Sequence, residues 1–274
     1  MQASTSWTPP TGTLGAIVGE TTERVMALRA RAGELRRALA HAPAPVPFAA
    51  ALRGARLAVI AEVKRRSPSR GTINAGLDAP SQAAAYAAGG AAAISVLTEP
   101  THFGGSNDDL RAVRDLVRIP VLKKDFHLDP VQLLEARVLG ASAALLIARA
   151  IHPAALAGLV DEARGLGLET LVEVRSEAEL EGALAAGAGV VGVNCRDLQT
   201  LEMDARVAEW LVARIPPGVI AVWESGIATP ADVEHAAASG ADAVLVGSAV
   251  SAASDPAQAV RALAAIQRRT GIRG

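Results

Sequence analysis

From Leu57 onward, short runs of Val, Ile, Leu and Ala alternate with longer segments whose apolar residues recur at helical spacing, the pattern of repeated βα units. The runs predict eight strands, over 57–63, 92–97, 120–124, 142–147, 169–174, 190–194, 219–223 and 243–247. Successive strands begin about 27 residues apart, close to the ~30 of a βαβ repeat. Between them, Asn107, Asp129-Pro130, His152-Pro153, Ser176, Thr229-Pro230 and Asp255-Pro256 stand just ahead of amphipathic runs and predict helix N-termini. Strands apolar on both faces, such as 143–147, belong to a parallel sheet covered by helices. Eight units without a composition break predict closure into a (β/α)8 TIM barrel. A doubly wound open sheet is the alternative, but the first strand is followed by Glu62-Val63-Lys64 where a Gly-rich dinucleotide fingerprint would stand.

Ahead of the barrel, the pattern divides the chain into a Ser/Thr/Pro-rich flexible tail (1–13) and an N-terminal helical extension (14–48) ending in a Pro-rich connector; the barrel occupies 49–274. Ile17, Val25, Met26, Leu28, Leu35 and Leu39 give the extension its helical period. Two placements suit it: a structural cover for the barrel bottom, or an apolar lid over the mouth.

Composition narrows the function. Of 274 residues, Lys+Arg 27 and Asp+Glu 28 give a net charge of −1, which disfavours a nucleic-acid partner. No apolar stretch approaches the roughly 20 residues of a membrane span. One Cys makes neither an intramolecular disulfide nor a thiolate zinc site, and residues 1–13 lack the basic start and apolar run of a signal peptide, so the expected location is cytoplasmic. Lys occurs only at 64, 123 and 124, against 24 Arg. In a chain that uses Arg almost wherever a cation will serve, three Lys beside chemically useful neighbours stand out, because an ammonium can be tuned into an acid or base and a guanidinium cannot.

Barrel active sites form at strand C-terminal ends, and here nearly every strand ends in chemistry. The first ends in Glu62 and Lys64, the third in Lys123, Lys124 and Asp125, the fifth in Glu173, the sixth in Asn194 with Arg196, the seventh in Glu224, Ser225 and Gly226, and the eighth in Gly247 and Ser248. Strand alternation aims Glu62 and Lys64 inward together and Lys123 away from Lys124. Any one of these is compatible with a structural ion pair; so many uncompensated buried charges together indicate a ligand-binding mouth. Gly247-Ser248 and Ser225-Gly226 stand where such barrels bind phosphate, with Ser67-Pro68-Ser69 able to add a hydroxyl. The five His show no ligand spacing and no Asp cluster resembles a magnesium or calcium loop, so no metal is expected.

Several motifs, in order and register, resemble the indole-3-glycerol phosphate synthase family from about Leu14 to the C-terminus. They are Ile60-Ala-Glu-Val-Lys-Arg-Arg-Ser-Pro-Ser69, Ser95-Val-Leu-Thr98 with His102-Phe-Gly-Gly-Ser106, and Pro120-Val-Leu-Lys-Lys-Asp-Phe126. Leu171-Val-Glu-Val174, Gly192-Val-Asn-Cys-Arg-Asp-Leu198 and Glu224-Ser-Gly-Ile227 with Val246-Gly-Ser248 complete the set. The resemblance implies a (β/α)8 barrel with an N-terminal helical extension and a ring closure needing no metal or cofactor. In it, 1-(2-carboxyphenylamino)-1-deoxyribulose 5-phosphate becomes indole-3-glycerol phosphate, losing carbon dioxide and water. It further implies that Lys124 is the general acid of carbon–carbon bond formation. Glu62, Lys64 and Glu173 match the family's other acid/base positions, with the division of labour among them open. Asn194 and Ser225 would orient substrate, and Arg196 and Glu224 would support the charged network. Lys64, Ser67, Gly226, Gly247 and Ser248 would line the phosphate and carboxylate region, and Phe103 and Phe126 would pack on the aromatic ring. A phosphorylated small molecule is thus the expected partner, and transient contact with other tryptophan-pathway enzymes is compatible with it.

Three positions depart from the family pattern: Cys195 replaces a second Asn, Arg175 stands where His is common, and Trp223 where Ser is usual. Alternation points Cys195 and Trp223 toward the barrel–helix layer, whereas Arg175 is placed to influence Glu173. Two other functions fit the same outline. Phosphoribosylanthranilate isomerase carries a Cys base at the first strand end, where this chain has Glu62 and Lys64. A barrel that binds such phosphates without turnover would have no need of all three acid/base carriers.

Overall fold

The computed structural model describes residues 7–273. After three helices, α1 (Gly12–Ala30), α2 (Ala32–Leu39) and α3 (Phe48–Ala51), the chain enters β1 (Ala58–Val63) and a small hairpin of β2 (Arg66–Ser67) and β3 (Gly71–Thr72). There follow α4 (Ala79–Ala88), β4 (Ala93–Leu97), α5 (Pro100–Phe103), α6 (Asn107–Leu116), β5 (Val121–Lys124), α7 (Pro130–Val138) and β6 (Ala143–Ile147). Next come α8 (Pro153–Gly165), β7 (Glu169–Val174), α9 (Glu177–Ala185), β8 (Val190–Asn194), α10 (Ala205–Val212) and β9 (Ile220–Glu224). The chain closes with α11 (Pro230–Ala238), β10 (Ala243–Val246), α12 (Ser248–Ser251) and α13 (Pro256–Ala264). Eight parallel strands close in the order β1-β10-β9-β8-β7-β6-β5-β4, the expected (β/α)8 barrel.

Alternation along each strand divides the interior into two cores. Inward residues such as Ala58, Ile60, Leu122, Leu145, Leu171, Val190, Val222 and Leu245 fill the barrel, whereas Val59, Val96, Val172, Val191 and Val244 pack against the helices. Helix starts follow the polar caps. The side chains of Asp129, His152, Ser176, Thr229 and Asp255 each accept a backbone N–H of the helix they precede, four of these helices carrying Pro in the first turn. Several boundaries shift by one residue: β1, β4, β5 and β6 each start one residue later than the apolar runs, and β10 ends one earlier. Ser106, not Asn107, caps α6, because its hydroxyl reaches Asp109 N at 3.0 Å. The seventh barrel strand runs Ile220–Glu224, its pairing with β8 reaching Asn194↔Glu224. Asp78 and Asp204 cap α4 and α10 without having been singled out by the sequence pattern.

The N-terminal extension serves both ends of the barrel. At the bottom, Phe48 and Leu52 are wholly buried, each contributing roughly 1.5–3 kcal/mol by burial. Glu169, at the start of β7, accepts Phe48 N and Ala49 N at 2.8 Å each and fixes this plug. At the top, Leu14 N donates to Leu198 O at 3.1 Å, and Leu14 and Ile17 join the barrel's inner core. So α1 crosses the mouth, and Val25 and Leu35 then pack on Val131 and Leu134 of α7 as the arm descends. Of the segment read as a tail, residues 1–6 lie outside the described residues. Trp7 meets His152 edge to face, and Thr8 O accepts from Arg149 at 2.8 Å.

Candidate active site

A cavity of about 360 Å³ opens at the C-terminal ends of the barrel strands, and Lys64, Lys124, Glu62, Glu173 and Glu224 meet in it, with Asp125 also on its wall. The mechanism of their convergence is the alternation itself: Glu62, Lys124, Glu173, Asn194 and Glu224 each stand two residues beyond an inward apolar or glycine position on a different strand. Lys124 Nζ lies 2.5 Å from Glu224 Oε2 and 3.3 Å from Glu173 Oε2. Lys64 Nζ lies 2.5 Å from Glu62 Oε1, and Ser95 Oγ donates to the other oxygen of Glu62 at 3.3 Å. Asn194 donates to Glu173 Oε1 at 3.0 Å and accepts from Ser225 Oγ at 2.8 Å, so one amide orients two neighbours. Arg196 N–H also donates to Asn194 Oδ1, at 2.9 Å, and the Arg196 guanidinium is tied to Leu201 O at 2.9 Å.

Burial and neighbouring charges compete to set the pKa of each of these groups. Burial works against the charge on Lys124, but Glu224, Glu173 and Glu62 more than offset it and hold its pKa above the ordinary lysine value. Burial would raise Glu62, yet Lys64 and Lys124 hold it below the usual carboxylate range. Glu224 goes the other way: burial, reinforced by Glu173, outweighs Lys124 and raises its pKa. Its Oε1 has no hydrogen-bond partner among the described residues. Burial, with Arg70 nearby as a second cation, lowers Arg196.

The walls divide by chemistry. Leu14, Ile17, Phe103, Phe126, Leu145 and Ile147 form an apolar side, with the rings of Phe103 and Phe126 6.2 Å apart. Ser67, Ser225, Gly226, Gly247 and Ser248 form a polar one. Ser225 and Gly226 both take left-handed backbone, φ 68° and 80°, so the chain turns sharply off β9. For Ser225 this conformation costs roughly 1–2 kcal/mol, the kind of strain that persists where surrounding structure holds a functional group.

All fourteen sequence-selected residues, Glu62, Lys64, Ser67, Phe103, Lys124, Phe126, Glu173, Asn194, Arg196, Glu224, Ser225, Gly226, Gly247 and Ser248, line this one cavity. Others were not singled out. Gly192 is required by space, since a β-carbon there would stand 2.0 Å from Glu224 Oε1. Its signal in the sequence is a lone glycine in a valine-rich strand two residues before Asn194. A β-carbon at Gly247 would meet Glu62 Oε1 at 2.5 Å and Lys64 Nζ at 2.8 Å, so this glycine also makes room for the ion pair. Arg70, from the hairpin after β1, and Leu201 and Met203, from the loop after β8, complete the rim.

The three departures fall outside the cavity. Cys195 and Trp223 are buried in the barrel–helix layer, and burial pushes the Cys195 thiol up to about 12. Arg175 turns to Asp197 at 3.3 Å, with no ion pair to Glu173. Among the described residues, Glu20, Glu99 and His102 could offer three metal-ligand atoms within 4.8 Å of one another. None of them lines the cavity, and Glu99 already accepts three backbone N–H groups at the start of α5.

Known proteins resemble the chain at two levels. It is 49% identical over 227 residues to indole-3-glycerol phosphate synthase of Mycobacterium leprae, covering 83% of this chain and 84% of that protein. It is 46% identical over 255 residues to indole-3-glycerol phosphate synthase 2 of Streptomyces coelicolor, covering 92% and 98%. Thiamine phosphate pyrophosphorylase from Pyrococcus furiosus shares the fold alone, with TM-score 0.58 and 18% identity over 76% of this chain and 94% of that one. The family model of indole-3-glycerol phosphate synthase matches residues 14–263. With relatives this similar across most of its length and a family match that takes in every strand of the barrel, the chain belongs to the indole-3-glycerol phosphate synthase family.

Proposed function

We propose that the protein converts 1-(2-carboxyphenylamino)-1-deoxyribulose 5-phosphate to indole-3-glycerol phosphate, carbon dioxide and water, with Lys124 as general acid. The observation that carries the assignment is the seat of Lys124: a buried ammonium held between Glu173 and Glu224, where the apolar wall of the cavity meets the polar one. In this reading the aryl ring lies toward Phe103, Phe126, Leu14 and Ile17, and the phosphate toward Lys64, Gly226, Gly247 and Ser248. The ribulose carbonyl then falls between them, within reach of Lys124.

Ring closure joins the carboxyl-bearing aryl carbon to the carbonyl carbon while Lys124 passes a proton to the carbonyl oxygen. Carbon dioxide then leaves the ring carbon with its electron pair returning to the ring, which restores aromaticity. Dehydration removes the new hydroxyl as water and a proton from the carbon beside the nitrogen, forming the second double bond of the five-membered ring. Glu173, anchored by Asn194, and Lys64, paired with Glu62, flank that centre and serve as the acid and base of this step. Glu62 orients Lys64. A metal has no part in any of these transfers. An isomerase of the Cys-base type is disfavoured by position: Cys195 is outside the cavity and its thiol is pushed to about 12.

Among the described residues no helix is long and apolar enough to cross a membrane. A charged phosphorylated substrate does not pass a bilayer unaided, so we place the enzyme in the cytoplasm with the enzymes that make and use its ligands, where transient contact with them is expected. The test is incubation of purified protein with the carboxyphenylamino-deoxyribulose phosphate, following indole absorbance. Turnover unchanged by a chelator supports the reading. An inactive wild-type protein, or activity lost to chelator and restored by a divalent ion, overturns it.

A further inference from the structure

Behind the polar wall lies a buried polar chain that the acid/base assignments leave unused. Pairing of β1 with β10 stops at Ala61↔Val246, so on that side the last backbone groups of β1 have no strand to bond. A single hydroxyl takes the strand's place. Ser251 Oγ donates to Glu62 O at 2.9 Å and accepts Lys64 N–H at 3.2 Å. The Tyr86 hydroxyl is 3.1 Å from Ser251 Oγ and 3.3 Å from Glu62 O, and Gln82 Nε2 donates to it at 3.0 Å. Gln82 also donates to Val250 O at 3.2 Å, and Asn74 to Ser251 O at 3.3 Å. Proton directions run consistently from Gln82 through Tyr86 to Ser251 and on to Glu62 O. Ser251 and Tyr86 are both wholly buried, and Tyr86 is the only tyrosine in the chain.

Ser251 is the last residue of the short helix that begins at Ser248, directly after Gly247. The hydroxyl therefore joins the segment carrying Gly247 and Ser248 to the backbone of the two residues that form the Glu62–Lys64 pair. On the cavity side Gly247 already lies so close to that pair that no side chain could stand between them. The two segments are thus held together from the front by close approach and from behind by hydrogen bonds.

We propose that Ser251 and Tyr86 are positioning residues, which set the distance between the proton-carrying Glu62–Lys64 pair and the phosphate-side segment 247–248. The proposal rests on the site reading above. If the hydroxyl is lost, the β1 end keeps its pairing to β4 but is released from the phosphate side, so Lys64 shifts relative to a substrate held at its other end. Misplacement by a fraction of an ångström costs rate more than affinity.

The experiment compares wild type with Ser251→Ala, Tyr86→Phe, the double variant and Ser251→Thr, measuring kcat, KM, the pH profile of kcat and thermal melting. Ser251→Ala is expected to lower kcat about 10- to 100-fold with KM changed less than about fivefold, and to move one limb of the pH profile, because Lys64 and Glu62 no longer meet as closely. Tyr86→Phe, which removes one oxygen and keeps the ring, should act in the same direction and more weakly. The double variant should be no slower than Ser251→Ala, since both act through one chain. Ser251→Thr should recover most of the rate. Melting temperatures that fall while kcat and the pH profile stay at wild-type values would reduce the chain to a structural support and overturn the proposal. Should Ser251→Ala fail to fold, wild-type kcat and pH profile in Tyr86→Phe overturn it equally. Inactivity of the wild type would refute the site reading itself, which separates the two failures.

Discussion

Lys124 and Lys123 are neighbours in sequence and opposites in environment. If Lys124 supplied only a positive charge, Arg would replace it in a chain that otherwise uses Arg 24 times. A guanidinium is too weak an acid to give up a proton in the transition state, so Lys124→Arg and Lys124→Ala are both expected to lose about 10²- to 10⁴-fold in kcat. A Lys124→Arg rate within a few-fold of wild type would make the residue a mere charge and shift the search for the acid to Lys64. Lys123 faces outward as alternation requires, yet it is 2% exposed, 3.2 Å from Asp125 and 3.5 Å from Glu135. Because Lys123 faces away from the cavity, Lys123→Arg is expected to keep kcat near wild type, and the enclosed seat puts the cost of losing the ammonium on stability. Lys123→Ala should destabilise by about 3–5 kcal/mol, because it strands the buried Asp125 and the half-buried Glu135, and denaturant titration would show it. Beside this cluster His127 is buried, its Nδ1 donating to Leu145 O at 2.7 Å while Nε2 has no partner among the described residues. Burial, with Lys123 adding to it, lowers its pKa to about 4. The unfolded chain, with a histidine near 6.5, binds this proton more readily, so the contribution is complete above about 6.5 and is lost as the pH falls toward 4. In His127→Gln the acid limb of stability over that range should flatten; an unchanged limb would assign the acid sensitivity elsewhere. The strand-end residues of the cavity were legible because alternation is a local rule, whereas Phe103 and Phe126 came only with the family resemblance. The Lys123 cluster was not legible, because Glu135 meets Lys123 only after α7 has packed on β5.

At the level of elements, the arm decides how the mouth closes. Arg24 of α1 reaches Asp125 at 3.4 Å, next to Lys124, Arg29 pairs with Asp129 at the start of α7, and Leu14 and Ile17 face the cavity. Removing residues 1–42 takes away this cover and leaves the Phe48–Leu52 plug, so the barrel should stay folded while KM rises, roughly tenfold for the loss of two or three apolar contacts with the ligand. A deletion through Leu52 should abolish folding instead. Unchanged kinetics in the shorter deletion would make the arm a structural extension only. The helical period of the arm was plain in the sequence, but its placement was not. Which end of a barrel a helix covers depends on distant partners, here Leu198 and Gln199 above and Glu169 below, and a 3.6-residue repeat carries no record of them. Strand ends were legible to within one residue, and the shift to Glu224 came from the ladder with β8 continuing past the last apolar position.

Across the whole molecule, stability and chemistry occupy different heights of the same barrel. The lower interior is filled by Phe48, Leu52, Ile60, Leu122 and Leu171; the upper interior holds Glu62, Glu173 and Glu224 with Lys64 and Lys124, and Asp125, Arg70 and Arg196 line the same mouth. Burial of the Glu224 carboxylate opposes folding. Removing the carboxylate whose pKa burial raises, Glu224, should relieve it: Glu224→Gln is expected to raise the melting temperature at neutral pH while lowering turnover, with roughly 2–4 °C corresponding to 1 kcal/mol in a chain of this size. A carboxyl whose folded pKa is raised favours the folded state only below its unfolded value and loses that contribution as pH rises, so the variant's advantage should widen from acidic toward neutral pH. A melting temperature below wild type would mean that the Lys124–Glu224 pair outweighs the burial cost. The closeness of Gly192 to Glu224 has a consequence for heredity rather than energy. Any side chain at 192 would collide with the carboxylate, so in a randomised library the two positions would not vary freely. Clones with Ala at 192 would survive folding selection together with a short residue at 224, and sequencing the survivors would find the pair inherited as a single character.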